Sequence, residues 1–455
     1  MSTTIQLTFN GGARSVTGAN FLLKNKDTKI LVDCGMFQGK NVCEGRNDEP
    51  FPYDPKDIDF LFITHAHLDH VGRIPKLVQD GFRGRIISTP PTRDSAELIL
   101  LDSIRVLQYE ARKERREPLY SEKEVNEAMK LWEGVAYHEN IPLPNDVKAF
   151  FKTTGHTLGS GMVVFERRGR SIVFTGDIGN SPAPLLPFTE YADGANYLVM
   201  ESVYGDRLHE DRSLRKEKLR NEIEVTRKKN GVLLIPAFSL ERTQELLFEI
   251  EEMVEGGEVE ALPVFIDSPL AIKITEIYRR YKNYFNKNVQ NLIQGGDTLF
   301  SFPKLSMTLH AKDSREIHKT PNPKIIIAGS GMSNGGRILN HEKRYLGDPS
   351  TTLLIMGFQA PGSLGRKLQE GEKKIVIDEE KITVRANVTS ILGYSAHADR
   401  NALFSFVEKS HTSLEQVFLT MGEPRSAMSF SQLLHDELAV RTSIPEEGES
   451  VELIL

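Results

Sequence analysis

The chain has 455 residues, of which 39% are hydrophobic and 26% charged, so it is expected to be globular with two domains. A net charge of -6 excludes a globally basic nucleic-acid binder but not a local basic groove. No apolar run has transmembrane length and the first residues lack a signal-peptide core, so no membrane association is expected. Two cysteines, Cys34 and Cys43, provide no disulfide framework, which indicates a cytoplasmic protein.

The first part of the chain is predicted to alternate strands with glycine turns. Strands are predicted over residues 4–9, 21–24, 29–32 and 58–63, followed by helical structure over about residues 93–133. Later strands over residues 171–175 and 197–200 are followed by Asp177 and Glu201. Carboxylates are therefore expected where strands end.

The order of predicted helices and strands changes near residue 206. Helices over about 214–229, from 240 and from 270 alternate with strands over 232–235, 264–267 and 324–328, which is typical of a parallel α/β unit. From about residue 381 the chain returns to strands, with a helix over 401–409 and a strand over 416–420. We therefore predict a first domain made of residues 1–205 and 381–455, with residues 206–380 inserted as a second domain.

One short segment concentrates residues that can bind metal. His65, His67, Asp69 and His70 directly follow the predicted strand 58–63. In an extended segment residues i and i+2 point the same way, so His65 and His67 can hold one ion together. Asp69 and His70 can then turn toward a second ion beside it.

His156 and Asp177 complete this predicted two-metal set. Each lies beside glycines at the end of a strand, where backbone can approach a site closely. His65, His67 and His156 are predicted to hold one ion, and Asp69 and His70 the other, with Asp177 between them. These nitrogen and oxygen ligands suit Zn²⁺, with Mn²⁺ or Fe as alternatives. Two such ions favour metal-assisted hydrolysis, in which Asp69 could also orient the attacking water.

On these residues the sequence resembles the metallo-β-lactamase superfamily, and in particular its β-CASP branch. That branch contains nucleases related to the pre-mRNA 3′-end-processing endonuclease and to ribonuclease J. The positions that match its motifs, in chain order, are Asp33, His65, His67, Asp69, His70, His156, Asp177, Glu201 and His397. The resemblance implies an α/β fold, an αββα sandwich with an inserted parallel α/β domain.

The resemblance also implies roles for residues outside the metal set. His397 would be the general acid that donates a proton to the leaving oxygen, and Glu201 the carboxylate that orients it. Asp33 would support the site. In the inserted domain, Ser330 and Gly331 look like the phosphate-contacting loop, and Arg337 and Arg366 are basic candidates for substrate binding.

One position departs from the family pattern. Met421 stands where the RNA-processing branch has a histidine that completes the second metal site. A thioether is a weak ligand for Zn²⁺, so we expect one firmly bound zinc and a second that is weak or absent.

The leading hypothesis is a zinc-dependent ribonuclease that cleaves single-stranded RNA in a cleft between the domains as an endonuclease, with 5′-exonuclease activity left open. The alternatives are a DNA nuclease of the same family, an RNA-binding subunit with attenuated catalysis because of Met421, and a small-molecule hydrolase such as a lactonase or thioesterase. A homodimer is left open, because exposed strands of the C-terminal segment could pair.

Overall fold

A computed structural model describes residues 4–39, 45–360 and 362–455. Cys34 is buried, whereas Cys43 lies outside the described residues, as does Pro361. The chain divides into two compact units, one made of residues 1–208 and 397–455 and the other of residues 209–396. Among the described residues, no helix combines the length and the apolar character that crossing a membrane requires.

The first segment of the chain, up to residue 208, alternates strands and helices. Its strands are β1 (Thr4–Gly11), β2 (Asn20–Asn25), β3 (Thr28–Val32), β4 (Phe60–Phe62), β5 (Arg85–Ser88), β6 (Trp132–Gly134), β7 (Ile141–Leu143), β8 (Val147–Thr153), β9 (Gly161–Arg167), β10 (Arg170–Phe174) and β11 (Tyr197–Glu201). Its helices are α1 (Leu68–Val71), α2 (Ile74–Gln79), α3 (Pro90–Glu114) and α4 (Glu122–Lys130).

The second unit, residues 209–396, forms an α/β domain. Its strands are β12 (Val232–Pro236), β13 (Val264–Asp267), β14 (Leu305–Met307), β15 (Lys324–Ala328), β16 (Thr352–Met356), β17 (Lys374–Ile377), β18 (Glu380–Thr383) and β19 (Asn387–Ile391). Its helices are α5 (Arg215–Lys228), α6 (Arg242–Glu255), α7 (Pro269–Arg280), α8 (Lys287–Gln294), α9 (Ala311–Glu316), α10 (Ile338–Tyr345) and α11 (Leu364–Gln369).

The last segment returns to the first unit. It contains the helices α12 (Arg400–Ser410) and α13 (Pro424–Leu438) and the strands β20 (Gln416–Thr420), β21 (Thr442–Ser443) and β22 (Ser450–Ile454). The strand β22 pairs with β1, and β20 pairs with β11, so this segment contributes a strand to each sheet of the first unit.

The first unit is a sandwich of two sheets. The strand orders are β22-β1-β2-β3-β4-β5-β6 and β21-β20-β11-β10-β9-β8-β7. Alternate side chains of both sheets, Phe62 of β4 and Phe165 of β9 among them, form one apolar core between them. A second apolar cluster joins the other face of the second sheet to α12 and α13, while α3 packs on β6 and against α4. The predicted αββα sandwich is confirmed.

The strands that lead to the site run in one direction. In the first sheet β3 and β4 are parallel, and in the second sheet β10, β11 and β20 are parallel. The strand β8 is antiparallel to β9, which is itself antiparallel to β10, so β8 also runs with β10. The carboxyl ends of these strands therefore lie at one edge of each sheet.

The second unit is built on a parallel sheet of order β14-β13-β15-β12-β16-β19. All its pairings are parallel, and the central strands β12, β15 and β16 are buried throughout, as expected for a sheet covered on both faces. The strand β19 pairs with β16, so this unit extends to residue 396 rather than to the predicted 380.

The predicted helical region 93–133 is two helices followed by a strand. The first helix, α3, ends at Arg115, which adopts the left-handed conformation with φ 55°. The second, α4, begins at a capping box in which Ser121 and Glu124 satisfy each other's backbone. Residues 132–134 are the edge strand β6, whose Trp132 donates a hydrogen bond to Ser88. The helix prediction was therefore wrong for the end of this region.

A buried carboxylate at the end of β13 joins several parts of the second unit. Asp267 accepts hydrogen bonds from Thr308 and Ser314 at 2.6 Å, from Arg337 at 2.7 Å and from His341 at 2.8 Å. Burial alone would raise the pKa of Asp267, but these hydrogen bonds lower it to about 2. A carboxyl group whose pKa is lowered in the folded state stabilises the fold above its unfolded pKa of about 3.9, and this contribution is lost as the pH falls toward 2.

We therefore expect Asp267→Asn to lower the melting temperature of the protein at pH 7, by a difference that shrinks between pH 4 and pH 2. Thermal unfolding followed by circular dichroism across this range measures it. The exposed Asp193 provides the control, since Asp193→Asn removes a carboxylate without buried partners. A difference between Asp267→Asn and wild type that is as large at pH 2.5 as at pH 7 would contradict this account.

Candidate metal centre

Three histidines and one aspartate converge at the edge of the sandwich. His65 follows β4 and His67 precedes α1, and their Nε2 and Nδ1 atoms lie 3.1 Å apart. His156, in the loop after β8, places its Nε2 atom 3.2 Å from the same Nδ1 atom of His67. The Oδ2 atom of Asp177 lies 3.3 Å from His65 Nε2 and 3.4 Å from His156 Nε2. These four ligand atoms all lie within 4.8 Å of one another, so they are close enough to hold one metal ion together.

The other oxygen of Asp177 faces a second group of ligands. Its Oδ1 atom lies 3.4 Å from His70 Nε2, which is 3.9 Å from Asp69 Oδ2. Asp69 and His70 lie on α1. The carboxylate of Asp177 thus stands between a group of three histidines and a smaller group of two side chains, with one oxygen toward each.

The backbone around Asp177 requires glycine. Gly176 has a positive φ of 55°, and a Cβ atom there would lie 2.5 Å from the side chain of Thr64. The loops after β4 and β10 can therefore approach each other only because residue 176 has no side chain. This contact brings the ligands of the two sheets together.

Asp33 contacts His70 at the ring nitrogen that does not face Asp177. Its Oδ2 atom lies 2.7 Å from His70 Nδ1, so the Nε2 atom of that ring is turned toward Asp177. Asp33 itself accepts hydrogen bonds from the backbone and side chain of Thr64, at 2.9 and 2.8 Å. A carboxylate in this position fixes the orientation of the histidine ring, so the contact agrees with the supporting role of Asp33, which stays a prediction.

The residues fit a bound metal ion. Among the described residues, His70 Nε2 and Asp177 Oδ1 are buried and make no hydrogen bond, although unpaired buried polar atoms are costly. Both atoms belong to the second group of ligands, where a cation bound by the neutral His70 ring would satisfy them. Nitrogen and carboxylate oxygen donors in this number suit a divalent ion such as Zn²⁺.

The pKa values divide the histidines into two kinds. Burial lowers the pKa of His67 and of His156 well below the usual value, so both rings are neutral and present lone pairs. Burial would also lower the pKa of His70, but the carboxylates of Asp177 and Asp33 raise it well above the usual value. Burial would raise the pKa of Asp177, yet the surrounding histidines bring it well below the usual value, so Asp177 is ionised.

A second pair of residues lies beside the metal ligands. His397 Nδ1 is 3.3 Å from Glu201 Oε2 and 3.9 Å from Asp177 Oδ2. Glu201 ends β11 and also accepts a hydrogen bond from the backbone of Ile178 at 2.5 Å. Burial would lower the pKa of His397, but Glu201 and Asp177 raise it to about 9. The imidazole is therefore positioned as a protonated group next to the ligands, as a general acid must be.

Comparison with known proteins shows the family. The metallo-β-lactamase superfamily matches residues 16–88, the Beta-Casp domain residues 243–368, and a domain described as Zn-dependent metallo-hydrolase RNA specificity residues 381–445. Ribonuclease TTHA0252 of Thermus thermophilus is 35% identical over 93% of this chain and 94% of its own. The chain belongs to the β-CASP family of the metallo-β-lactamase superfamily. The expected resemblance is thereby confirmed, and the chain is a metal-dependent hydrolase by family.

Further members of this β-CASP family align over nearly the whole chain. An RNase J-like protein of Methanocaldococcus jannaschii is 31% identical over 98% of this chain and 99% of its own. Transcription termination factor FttA of Methanosarcina mazei is 31% identical over 99% of this chain and 72% of its own. A crystal structure of a protein of unknown function from Enterococcus faecalis V583 covers 99% of this chain and 100% of its own, with a TM-score of 0.57 and 12% identity, and shows the fold alone.

Met421 packs into the apolar core of this β-CASP protein. Its side chain belongs to the cluster between the two sheets, and its sulfur lies against Gly12, whose carbonyl accepts a hydrogen bond from the Met421 backbone at 2.7 Å. The same side chain lines a small cavity with His70 and Glu201. The residue thus stands beside the second ligand group and adds an apolar surface to it.

The substrate-binding candidates lie in the second unit and differ in their surroundings. Arg337 donates to Asp267, to the carbonyl of Thr308 and to that of Leu309 at 2.7–2.8 Å, so its guanidinium connects parts of the fold. Arg366 is 41% exposed and pairs with Glu370 one helical turn away.

The glycine-rich loop that contains Ser330 and Gly331 follows β15. The Oγ atom of Ser330 accepts a hydrogen bond from the backbone of Asn334 at 3.0 Å, and the carbonyl of Gly331 accepts one from Gln359 at 3.0 Å. The loop is therefore fixed both internally and by the segment after β16.

The sequence analysis did not predict a role for two residues that support the site. Thr64 contacts Asp33, His65 and His70 through one hydroxyl group. Ser160 accepts hydrogen bonds from the backbones of His156 and Thr157, which fixes the loop that carries the third histidine. Their only signal is adjacency to a ligand motif, because a hydroxyl residue in a turn is too common to single out.

We expect Asp33→Asn to lower the affinity of the second zinc site, which contains His70, by about 10- to 100-fold and to leave the first site unchanged, because an amide no longer fixes the tautomer and charge of His70. Competition with a fluorescent zinc chelator measures the affinity. The exposed Asp193 gives the matched control, and Asp193→Asn should bind zinc as wild type does. Wild-type affinity in Asp33→Asn would mean that Asp33 does not support the ligand.

Proposed function

We propose that the chain is a zinc-dependent ribonuclease that hydrolyses phosphodiester bonds of single-stranded RNA as an endonuclease. The observation that carries the proposal is the pair Glu201–His397 placed directly beside the ligand group of Asp177. Hydrolysis needs both an activated water and a proton for the leaving oxygen, and this arrangement has a group for each.

The similar proteins favour RNA as the substrate. The Thermus thermophilus relative is named a ribonuclease and the Methanocaldococcus jannaschii relative an RNase J-like protein, and the domain matched at residues 381–445 is described by RNA specificity. None of the relatives named above has a name that refers to DNA, so the DNA alternative has no support. Neither the structure nor these relatives support a homodimer, and the cytoplasmic location stays a prediction.

Zinc bound between His65, His67, His156 and Asp177 would supply a hydroxide nucleophile at neutral pH and neutralise charge on the phosphate. Asp69 lies at the rim of the ligand groups, where its carboxylate can accept a hydrogen bond from the attacking water. Burial raises the pKa of Asp69, which makes it a better proton acceptor than an exposed carboxylate.

His397 provides the proton for the leaving oxygen. Its Nδ1 atom faces Glu201 and Asp177, so the proton that can be transferred to substrate is the one on Nε2. Glu201 is held by the backbone of Ile178 and keeps the ring in this orientation. Glu201 is thus a positioning residue, and His397 is the catalytic residue.

The second zinc is proposed to bind weakly. The second ligand group contains Asp69, His70 and one oxygen of Asp177, whose other oxygen faces the first group. The position that could add a further ligand is occupied by Met421, which packs in the core. A thioether competes poorly with imidazole for Zn²⁺. A loss of activity through Met421 is not favoured, because the other predicted ligands converge. A lactonase or thioesterase is not favoured either, because the domain matched at residues 381–445 is described by RNA specificity and the Thermus thermophilus relative is named a ribonuclease.

We expect the zinc-loaded protein to cut a labelled single-stranded RNA, and His397→Ala to reduce kcat by about 10²- to 10⁴-fold with its first zinc retained. Gel analysis of cleavage and mass-spectrometric zinc content measure both. The control is His138→Ala, which removes a histidine that is 57% exposed and pairs only with Glu190 among the ion pairs of the described residues. The proposal fails if zinc-loaded wild type cuts no RNA, or if His397→Ala cuts at the wild-type rate.

A further inference from the structure

Two phenylalanines occupy matching positions in the second unit. Phe238 is the second residue after β12, and Phe358 is the second residue after β16. The two strands pair in parallel, with Leu234 opposite Leu353. The rings therefore lie at the carboxyl ends of neighbouring strands, the edge at which parallel sheets bind their ligands.

Both rings are exposed although their neighbours are buried. Phe238 is 42% and Phe358 46% exposed, whereas Ala237 is 2% and Gln359 1% exposed. The chain has 23 phenylalanines, and in its described part Phe188 is the one other that is exposed. Since most phenylalanines of this chain are inside, two exposed rings at one sheet edge call for a ligand.

The glycine-rich loop connects the two rings. A Cβ atom on Gly331 would lie 2.7 Å from the ring of Phe238, so this ring lies directly against the Gly331 backbone. Gln359, the residue after Phe358, donates a hydrogen bond to the carbonyl of the same Gly331 at 3.0 Å. Phe238 thus contacts this loop directly, and the residue next to Phe358 is hydrogen-bonded to it.

The surroundings of the rings are polar and partly basic. Ser239 and Ser268 are hydrogen-bonded at 3.2 Å near the start of this edge. The backbone of Gly365 donates to the carbonyl of Met332 at 3.0 Å, which brings the half-buried Arg366 and the exposed Lys367 close to the loop. The pairing of Arg366 with Glu370 is exposed and therefore weak, so the guanidinium remains available to an anion.

We propose that Phe238 and Phe358 are base-stacking residues that bind nucleobases of single-stranded RNA, while Arg366 and Lys367 attract its phosphates. This inference rests on the proposed function and adds how the substrate is held. Exposed aromatic rings suit flat bases, because every base can stack on a ring whatever the RNA sequence. An apolar protein partner would instead need a continuous apolar patch.

The test compares KM and kcat for cleavage of a labelled single-stranded RNA by zinc-loaded protein. We expect Phe238→Ala and Phe358→Ala each to raise KM about tenfold with little change in kcat, and the Tyr variants to keep the wild-type KM. Tyr109 is 71% exposed on α3, and Tyr109→Ala is the control for loss of an exposed aromatic side chain. Unchanged KM in both Ala variants overturns the proposal, and so does a wild-type KM in Phe238→Leu and Phe358→Leu.

A binding measurement separates this inference from the proposed function. The chain has one tryptophan, Trp132, which is buried, so Phe358→Trp adds an exposed fluorophore. We expect single-stranded RNA to quench its emission and an abasic oligonucleotide of the same length to leave it unchanged. Quenching without any cleavage would defeat the proposed function alone. Unchanged emission with RNA would defeat the inference, as would a blue shift that grows with protein concentration, since a second copy would then cover the ring.

Discussion

The candidate centre depends on one ionised carboxylate that is almost completely buried. Asp177 is 3% exposed and faces imidazole nitrogens with both oxygens. A buried charge is tolerated only where opposite charge or a metal ion compensates it. Its Oδ1 atom and the Nε2 atom of His70 lie 3.4 Å apart without forming a hydrogen bond, which shows where that compensation is incomplete in the protein alone. A metal-binding site explains this arrangement more simply than a structural ion pair would.

The direction of the strands explains how distant parts of the sequence reach this carboxylate. Asp33, His65, His156, Asp177 and Glu201 each follow or end a strand of the same direction in its sheet. Below them the facing sheets interlock through aromatic rings, which resists movement of the strand ends. Met421 belongs to this core and also borders the site. The methionine that replaces the histidine of the family motif is therefore buried against apolar side chains of the core.

Local pattern was sufficient for much of the fold and of the candidate site. The i, i+2 spacing of His65 and His67 and the carboxylates at strand ends could be read directly, because strand periodicity is a local property. The αββα class followed from the family motifs. The strand β19 could not be assigned to its unit, because its pairing with β16 is long-range. Arg337 was expected to face substrate, yet it donates to Asp267, 70 residues away, a partner that no local pattern indicates.

The most direct test of the account is the number of zinc ions per chain, measured by mass spectrometry after dialysis against low zinc. The shared carboxylate and the missing motif ligand together predict about one zinc in wild type, about two in Met421→His, and none retained in Asp177→Asn. The account would be contradicted by two zinc ions in wild type with no gain in Met421→His, or by undiminished zinc in Asp177→Asn.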